Sequence, residues 1–168
     1  MKTLENIKKV PREIAHLLSK DKKLCSLLID DSNEPKIENL PSFEFLLNNN
    51  YINLMTPVTD GQINQKGRNN YIVIILDNID FETAEDDNIG ATINIYVVSN
   101  FSYLLINDLN NRLLEMIDRI YQILDGQKLS SSGELRIKTA SRVQIDEFND
   151  AYRIGFVLSD QQSRKVSI

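Results

Sequence analysis

One cysteine, one histidine and no surplus of positive charge are what this chain has least of, and each shortage excludes something. Cys25 alone allows neither an internal disulfide nor a cysteine-clustered zinc site. It lies in the apolar run Leu24, Cys25, Leu27, Leu28, where the expectation is a plain buried thiol. His16 sits beside Leu17 in an amphipathic pattern and is expected at a surface or rim. A lone histidine supports neither a Ser-His-Asp arrangement nor a multi-histidine metal site. The six glycines are scattered singly, so no phosphate cradle is visible. With 24 acidic against 19 basic side chains the net charge is -5, a poor basis for sequence-independent binding to nucleic-acid phosphates. No window approaches the ~18 apolar residues of a membrane span, and Met1-Lys2-Thr3-Leu4-Glu5 offers no apolar signal region. These features predict a soluble protein made in the cytoplasm, without membrane association.

What remains is a chain of 168 residues, 42% hydrophobic, enough for one domain with a real core. Residues 1–30 predict two short helices. Leu4, Ile7, Val10, Ile14, Leu17 and Leu18 recur at helical steps, Pro11 marks a fresh helix start, and Ser19 or Asp21 can cap a second helix through Leu24, Leu27 and Leu28. This segment is the most basic of the chain. Lys8, Lys9, Arg12, Lys22 and Lys23 form either a solvated helix face or a patch that meets an acidic partner. Residues 31–70, punctuated by Pro35, Pro41, Pro57, Asn48-Asn49-Asn50 and Gly61, read as long loops with one helical turn around Phe43, Phe45, Leu46 and Leu47.

From residue 71 the pattern strengthens. Tyr71 to Leu76 is an unbroken β-branched run, expected as a central strand buried on both faces. Thr92 to Ser99 alternates as a second strand, and Phe101 to Leu124 carries helical spacing from a cap at Asn100 or Ser102 to a stop at Asp125-Gly126. Met116, Tyr103 and Tyr121 are read there as core stripe and rim. Leu135, Ile137, Val143 and Ile145 predict a strand or bent pair, Tyr152 to Leu158 a last strand, and residues 160–168 a polar tail. The fold class expected is α+β: a mixed or antiparallel sheet of four or five strands, one long helix across a face, and a short N-terminal helix pair.

No catalytic set emerges. Asp77, Asp80, Glu82, Glu85, Asp86 and Asp87 crowd the connection between the first two sheet strands, but Gly90 falls beyond the run and the calcium-loop pattern fails. A metal-dependent nuclease places an Asp after one strand and a Glu-x-Lys pair on the next. Here Glu134 is followed by Arg136 and Lys138 at the wrong spacing, so that reading stays remote. No catalytic residue, metal ligand or cofactor is predicted, and the chain reads as a non-enzyme.

The order of elements resembles the tail terminator, or tail completion, proteins of long-tailed bacteriophages. The helix pair Ile14 to Leu28, with Leu18, Asp21, Leu24 and Leu27 in matching places, opens the likeness. Tyr71 to Leu76, the acidic stretch Glu82 to Gly90, Ala91 to Ser99, Tyr103 to Leu124, and Arg142 to Leu158 with the step Asp150-Ala151-Tyr152 continue it. The likeness covers most of residues 11–159. Two departures are the length of Asp30 to Asn70 and the pair Asn69-Asn70 where the family usually has a proline, which leaves open a related neck ring nearer the portal. The resemblance implies a virion component forming a homo-oligomeric ring, typically a hexamer, at the head-proximal end of the tail tube. There it would end tube polymerisation and bind the tail tube protein on one side and the head connector on the other, with DNA passing through unbound. Glu82, Glu85, Asp86 and Asp87 are the candidate DNA-repelling lumen. An unrelated protein-interaction module is the further alternative.

Overall fold

A computed structural model describes residues 4–55, 67–80, 90–107, 110–130 and 133–159. The fold is α+β, built on a curled, mixed sheet of six strands. Its first element, α1 (Leu4–Leu18), runs unbroken through Pro11, so the fresh helix start expected there does not occur. The helix forgoes the one bond the Pro11 nitrogen cannot donate. What it gains is burial of Ile7, Val10, Ile14, Ala15 and Leu18 along a single stripe. Helix α2 (Lys22–Ile29) starts as expected, with the Asp21 carboxylate accepting from the Leu24 N–H at 2.7 Å.

The Asn-rich stretch before residue 51 is a helix stop. Helix α3 (Phe43–Asn48) opens on Ser42 and ends with Asn50 in the left-handed region at φ 59°. Tyr51 N–H donates to Leu46 O and Asn50 N–H to Leu47 O, the two bonds that close a Schellman motif. The chain then enters β1 (Ile52–Met55), a strand missing from the sequence reading, which pairs in parallel with β2 (Asn70–Asp80). Phe45 stacks on Tyr51, and the Arg68 guanidinium lies 4.5 Å over the same Tyr51 ring.

The sheet order is β1-β2-β3-β8-β7-β6, antiparallel except at the β1–β2 pair. Its remaining strands are β3 (Gly90–Asn100), β6 (Lys128–Leu129), β7 (Gly133–Gln144) and β8 (Asn149–Ser159). Strand β2 is buried on both faces, as its β-branched run predicts, yet it lies second from an edge, and β3 and β8 hold the centre. The expected four or five strands become six because β1 and the two-residue β6 join the sheet. The stretch from Leu135 to Val143 is one strand, bent by a bulge between Ile137 and Thr139. Beside it on β8, a side chain at Gly155 would come within 2.7 Å of the Thr139 hydroxyl, so the close approach requires glycine.

The helix expected over Phe101 to Leu124 is half that length. A single 3-10 turn (Phe101–Tyr103) and a small ribbon of β4 (Leu105–Ile106) and β5 (Asn110–Asn111) take up its first part, and α4 covers only Arg112–Leu124. Asn111, not Asn100 or Ser102, caps it, accepting from Leu113 and Leu114 N–H. Asn100 caps the 3-10 turn instead. The Asp125-Gly126 stop forms as expected, with Gly126 at φ 79°. Leu113, Met116, Ile120 and Leu124 face inward and Tyr121 is exposed, which matches the core stripe and rim expected. At 15 residues, α1 is the longer helix.

Two apolar clusters follow from strand alternation. Ile72, Ile74, Ile93, Ile95, Val97, Ile154 and Phe156 pack under α1, α2 and α4. Tyr71, Val73, Ile75, Tyr96, Val98 and Ala151 form the second cluster on the other face, joined by Val143 and Ile145. Cys25 belongs to the first, fully buried, its thiol donating to Ser19 O at 3.5 Å. Burial, with the Asp21 charge adding to it, pushes that thiol up to about 12. Thiolate is the reactive form, so a thiol reagent at pH 8 is expected to label Cys25 only at the rate of unfolding. Rapid stoichiometric labelling of the native protein would contradict this packing.

Candidate interaction surfaces

One buried cation organises the end of the molecule where the helical layer meets the loops. Arg112, at the first position of α4, is 0% exposed. Its Nη1 donates to Leu27 O at 2.7 Å and Asp30 O at 2.8 Å, its Nη2 to Ser32 O at 2.6 Å, and its Nε to Tyr103 O at 2.8 Å. Two of these acceptors lie at the C-terminal end of α2, where carbonyls lack intrahelical donors and the helix dipole favours a cation. Burial pulls the guanidinium below its ordinary value, with Asp31 and Asp30 opposing. Asp31 in turn accepts from Asn69 and Asn70 at 2.6 and 2.7 Å, and Ser99 donates to Asn70 Oδ1 at 2.6 Å. The network therefore joins α2, α4, β2 and β3.

Beside it the β7–β8 hairpin turn carries a different kind of feature. The Asp146 carboxylate accepts from Phe148 N–H at 2.8 Å, Asn149 N–H at 2.9 Å and Asn149 Nδ2 at 2.8 Å, which fixes the turn. Phe101 N–H donates to Phe148 O at 2.9 Å, tying the turn to the end of β3. Both rings stay in solvent, Phe148 at 63% and Phe101 at 47% exposure. Phe101 borders a groove of about 510 Å³ with Arg142, Asp146, Glu147 and Asp150 in its wall, and Phe148 sits on the turn between two of the lining residues, Glu147 and Asn149. Arg142 Nε donates to Asp150 at 2.7 Å across the hairpin. Sequence reasoning missed this surface, because Phe148 alone between Glu147 and Asn149 carries no periodic signal.

The five cations proposed as a partner patch are all exposed, but they face different neighbours. Lys8 lies 3.2 Å from Glu5, Arg12 sits over the Phe43 ring, Lys22 donates to Glu38 O, and Lys23 pairs with Glu115 at 2.8 Å. Lys8, Lys9 and Arg12 share α1, whereas Lys22 and Lys23 are drawn to the α3 approach and to α4. His16 is exposed at the rim, its ring edge against Phe43. The proposed lumen residues Glu82, Glu85, Asp86 and Asp87 lie outside the described residues, as do 160–168. Of the remote nuclease set, Asp77 is exposed on β2, while Glu134 is buried on β7 and ion-paired with Arg136. Among the described residues no group of three His, Cys, Asp or Glu could hold a metal ion, and no helix is long and apolar enough to cross a membrane.

No protein-family model matches this chain, and no curated protein matches it either.

Two measurements probe the helical layer. Arg112→Ala would strand four carbonyls that now share one donor group, and a stability loss of about 3–5 kcal/mol in urea unfolding is expected. A loss below ~1 kcal/mol would show the network to be incidental. The second concerns acid. Burial raises the Asp21 carboxyl, but Arg119, the Leu24 N–H and Lys23 outweigh it and hold it below its ordinary value. Asp30 is lowered in the same sense, its burial outweighed by the Lys36 and Ser32 N–H groups, the Ser32 hydroxyl and Arg112. A depressed carboxyl stabilises the fold above its unfolded pKa, near 3.8 here, and that contribution is lost as pH falls through the folded value. Stability is therefore expected to decline below about pH 4. Asp21→Asn, which can still cap α2, is expected to flatten that decline, and an unchanged acid slope would refute the assignment.

Proposed function

We propose that this chain is a structural ring component without catalytic chemistry, and that the ring is the tail terminator of a long-tailed bacteriophage. The observation that carries the reading is the order of elements. A helix pair precedes a two-face-buried strand; then come the acidic connection of residues 81–89, a second strand, a helix over one sheet face, and a hairpin whose last strand carries Asp150-Ala151-Tyr152 near its start. The exposed aromatic end formed by Phe101 and Phe148 adds support, since a subunit that lives between neighbours keeps apolar side chains for them.

In this reading six copies close a ring on the head-proximal end of the tail tube. One face binds tube protein and stops its growth, and the other receives the head connector. Glu82, Glu85, Asp86 and Asp87 are assigned to the DNA path, where like charge keeps the duplex from sticking. A second reading, a neck adaptor on the portal side, draws on the long segment 31–70. That segment adds α3 and the parallel edge strand β1 to the expected layout.

The test is to mix the purified chain with tail tube protein and image the products. A sixfold ring at one tube end, with tubes growing overlong when the chain is omitted, is the expected result. Binding to a twelvefold portal particle in place of the tube would move the assignment to the neck, and binding to neither would sink both. The same images decide the lumen, since residues 82–87 on the outer rim would end that part of the proposal.

A further inference from the structure

A ring needs two different surfaces on each copy that fit one another, because head-to-tail contacts alone can close by rotation. Resting on the ring reading above, we propose that the β7–β8 hairpin end docks on the exposed face of α1 of a second copy. The hairpin surface has the attributes of an anchor. Phe148 is well exposed, yet its backbone is held by the Asp146 carboxylate and by Phe101, so little conformational freedom remains to be lost on binding. Phe101 stands next to it at the groove, and large, rigidly held aromatics are where binding energy concentrates.

Charge identifies the occupant. The groove wall holds Asp146, Glu147 and Asp150 against Arg142 alone, and Arg142 is already paired with Asp150. An acidic groove of this kind selects a basic surface. On this same chain α1 presents Lys8, Lys9 and Arg12 to solvent, with Leu4 exposed at its start. The Lys8–Glu5 pair is open to water at both ends, so it exchanges partners at small cost. The main packing partners of α1 are β1, β2 and α4, so its basic face and the hairpin turn belong to separate parts of one copy. A contact between them is therefore head-to-tail. A hairpin-to-hairpin contact would bring like charges together.

The experiment is sedimentation analysis of the full chain at high protein concentration and low salt, with charge swaps. Glu147 and Lys9 are both exposed, so each can be reversed without disturbing the core, and circular dichroism confirms the fold. Glu147→Lys and Lys9→Glu are each expected to weaken self-association by about tenfold or more, and Phe148→Ala to do the same. The double swap is expected to recover most of the loss, which general charge effects would not produce. Single reversals without effect, a double swap that restores nothing, or a wild-type chain that stays monomeric would each overturn the proposal. A six-subunit particle indifferent to all three substitutions would leave the ring reading standing and remove this contact. A chain that neither self-associates nor binds tail tube protein would remove both.

Discussion

The arrangement of this fold depends on burying one arginine. Arg112 has no route to solvent, so its five N–H donors must be met inside the protein. Four of the five are met by the backbone carbonyls of Leu27, Asp30, Ser32 and Tyr103. Together the four carbonyls hold three pieces of chain: the C-terminal end of α2, the connection that leaves it, and the turn Phe101–Tyr103 that follows β3. Sliding α4 by one turn, about 5.4 Å, would carry the guanidinium away from all four. A second tie, Arg119 with Asp21, joins α4 to the other end of α2. Asp21 both caps α2 and receives that arginine, so helix initiation and helix packing are coupled through one carboxylate.

The same arginine explains where the sequence misleads. Leu105, Leu109 and Leu113 continue the helical spacing of α4 backwards, and periodicity alone extends the helix to Phe101. Asn107 is held at φ 47° in the turn between β4 and β5, with its N–H on Asn33 O, and Arg112 N–H reaches back to Leu104 O. These bonds set the chain before residue 111 outside the helix, and Leu105 is left 62% exposed. Strand β1 escaped notice for a different reason. Four residues with a buried Asn53 among them show no clean alternation, and parallel pairing with β2 is decided by a partner twenty residues away. By contrast the long β-branched runs, the Asp21 cap, the Asp125-Gly126 stop and the buried thiol were legible, because each is decided locally.

Of the candidate sites, the basic patch was legible as charge and illegible as geometry. Residues close in sequence on two helices look like one cluster, yet α2 rotates Lys22 and Lys23 toward Glu38 and Glu115, and only the α1 trio remains together. The hairpin surface left no trace of its own in the sequence. A single phenylalanine among polar residues becomes a feature only once Asp146 has folded the turn and Phe101 has been brought beside it from the turn after β3.

A sheet buried on both faces narrows what is left for partners. With α1, α2 and α4 covering one face and Tyr71, Val73, Ile75, Tyr96 and Val98 enclosed on the other, neither face of the central strands can receive a neighbour. Contact must use edges, ends or the outer sides of helices. Where β7 runs on past its two-residue pairing with β6, Arg136, Lys138 and Arg142 place charge where a flat apolar strand would invite indiscriminate pairing, and the bulge after Ile137 bends the strand further from a template. That edge is built to resist a second strand. The ends are built otherwise: at the hairpin turn apolar rings stand out on a backbone that hydrogen bonds hold still. One surface is guarded and another displayed, so the assembly proposed above would have its apolar contact at the hairpin end and not along the strand.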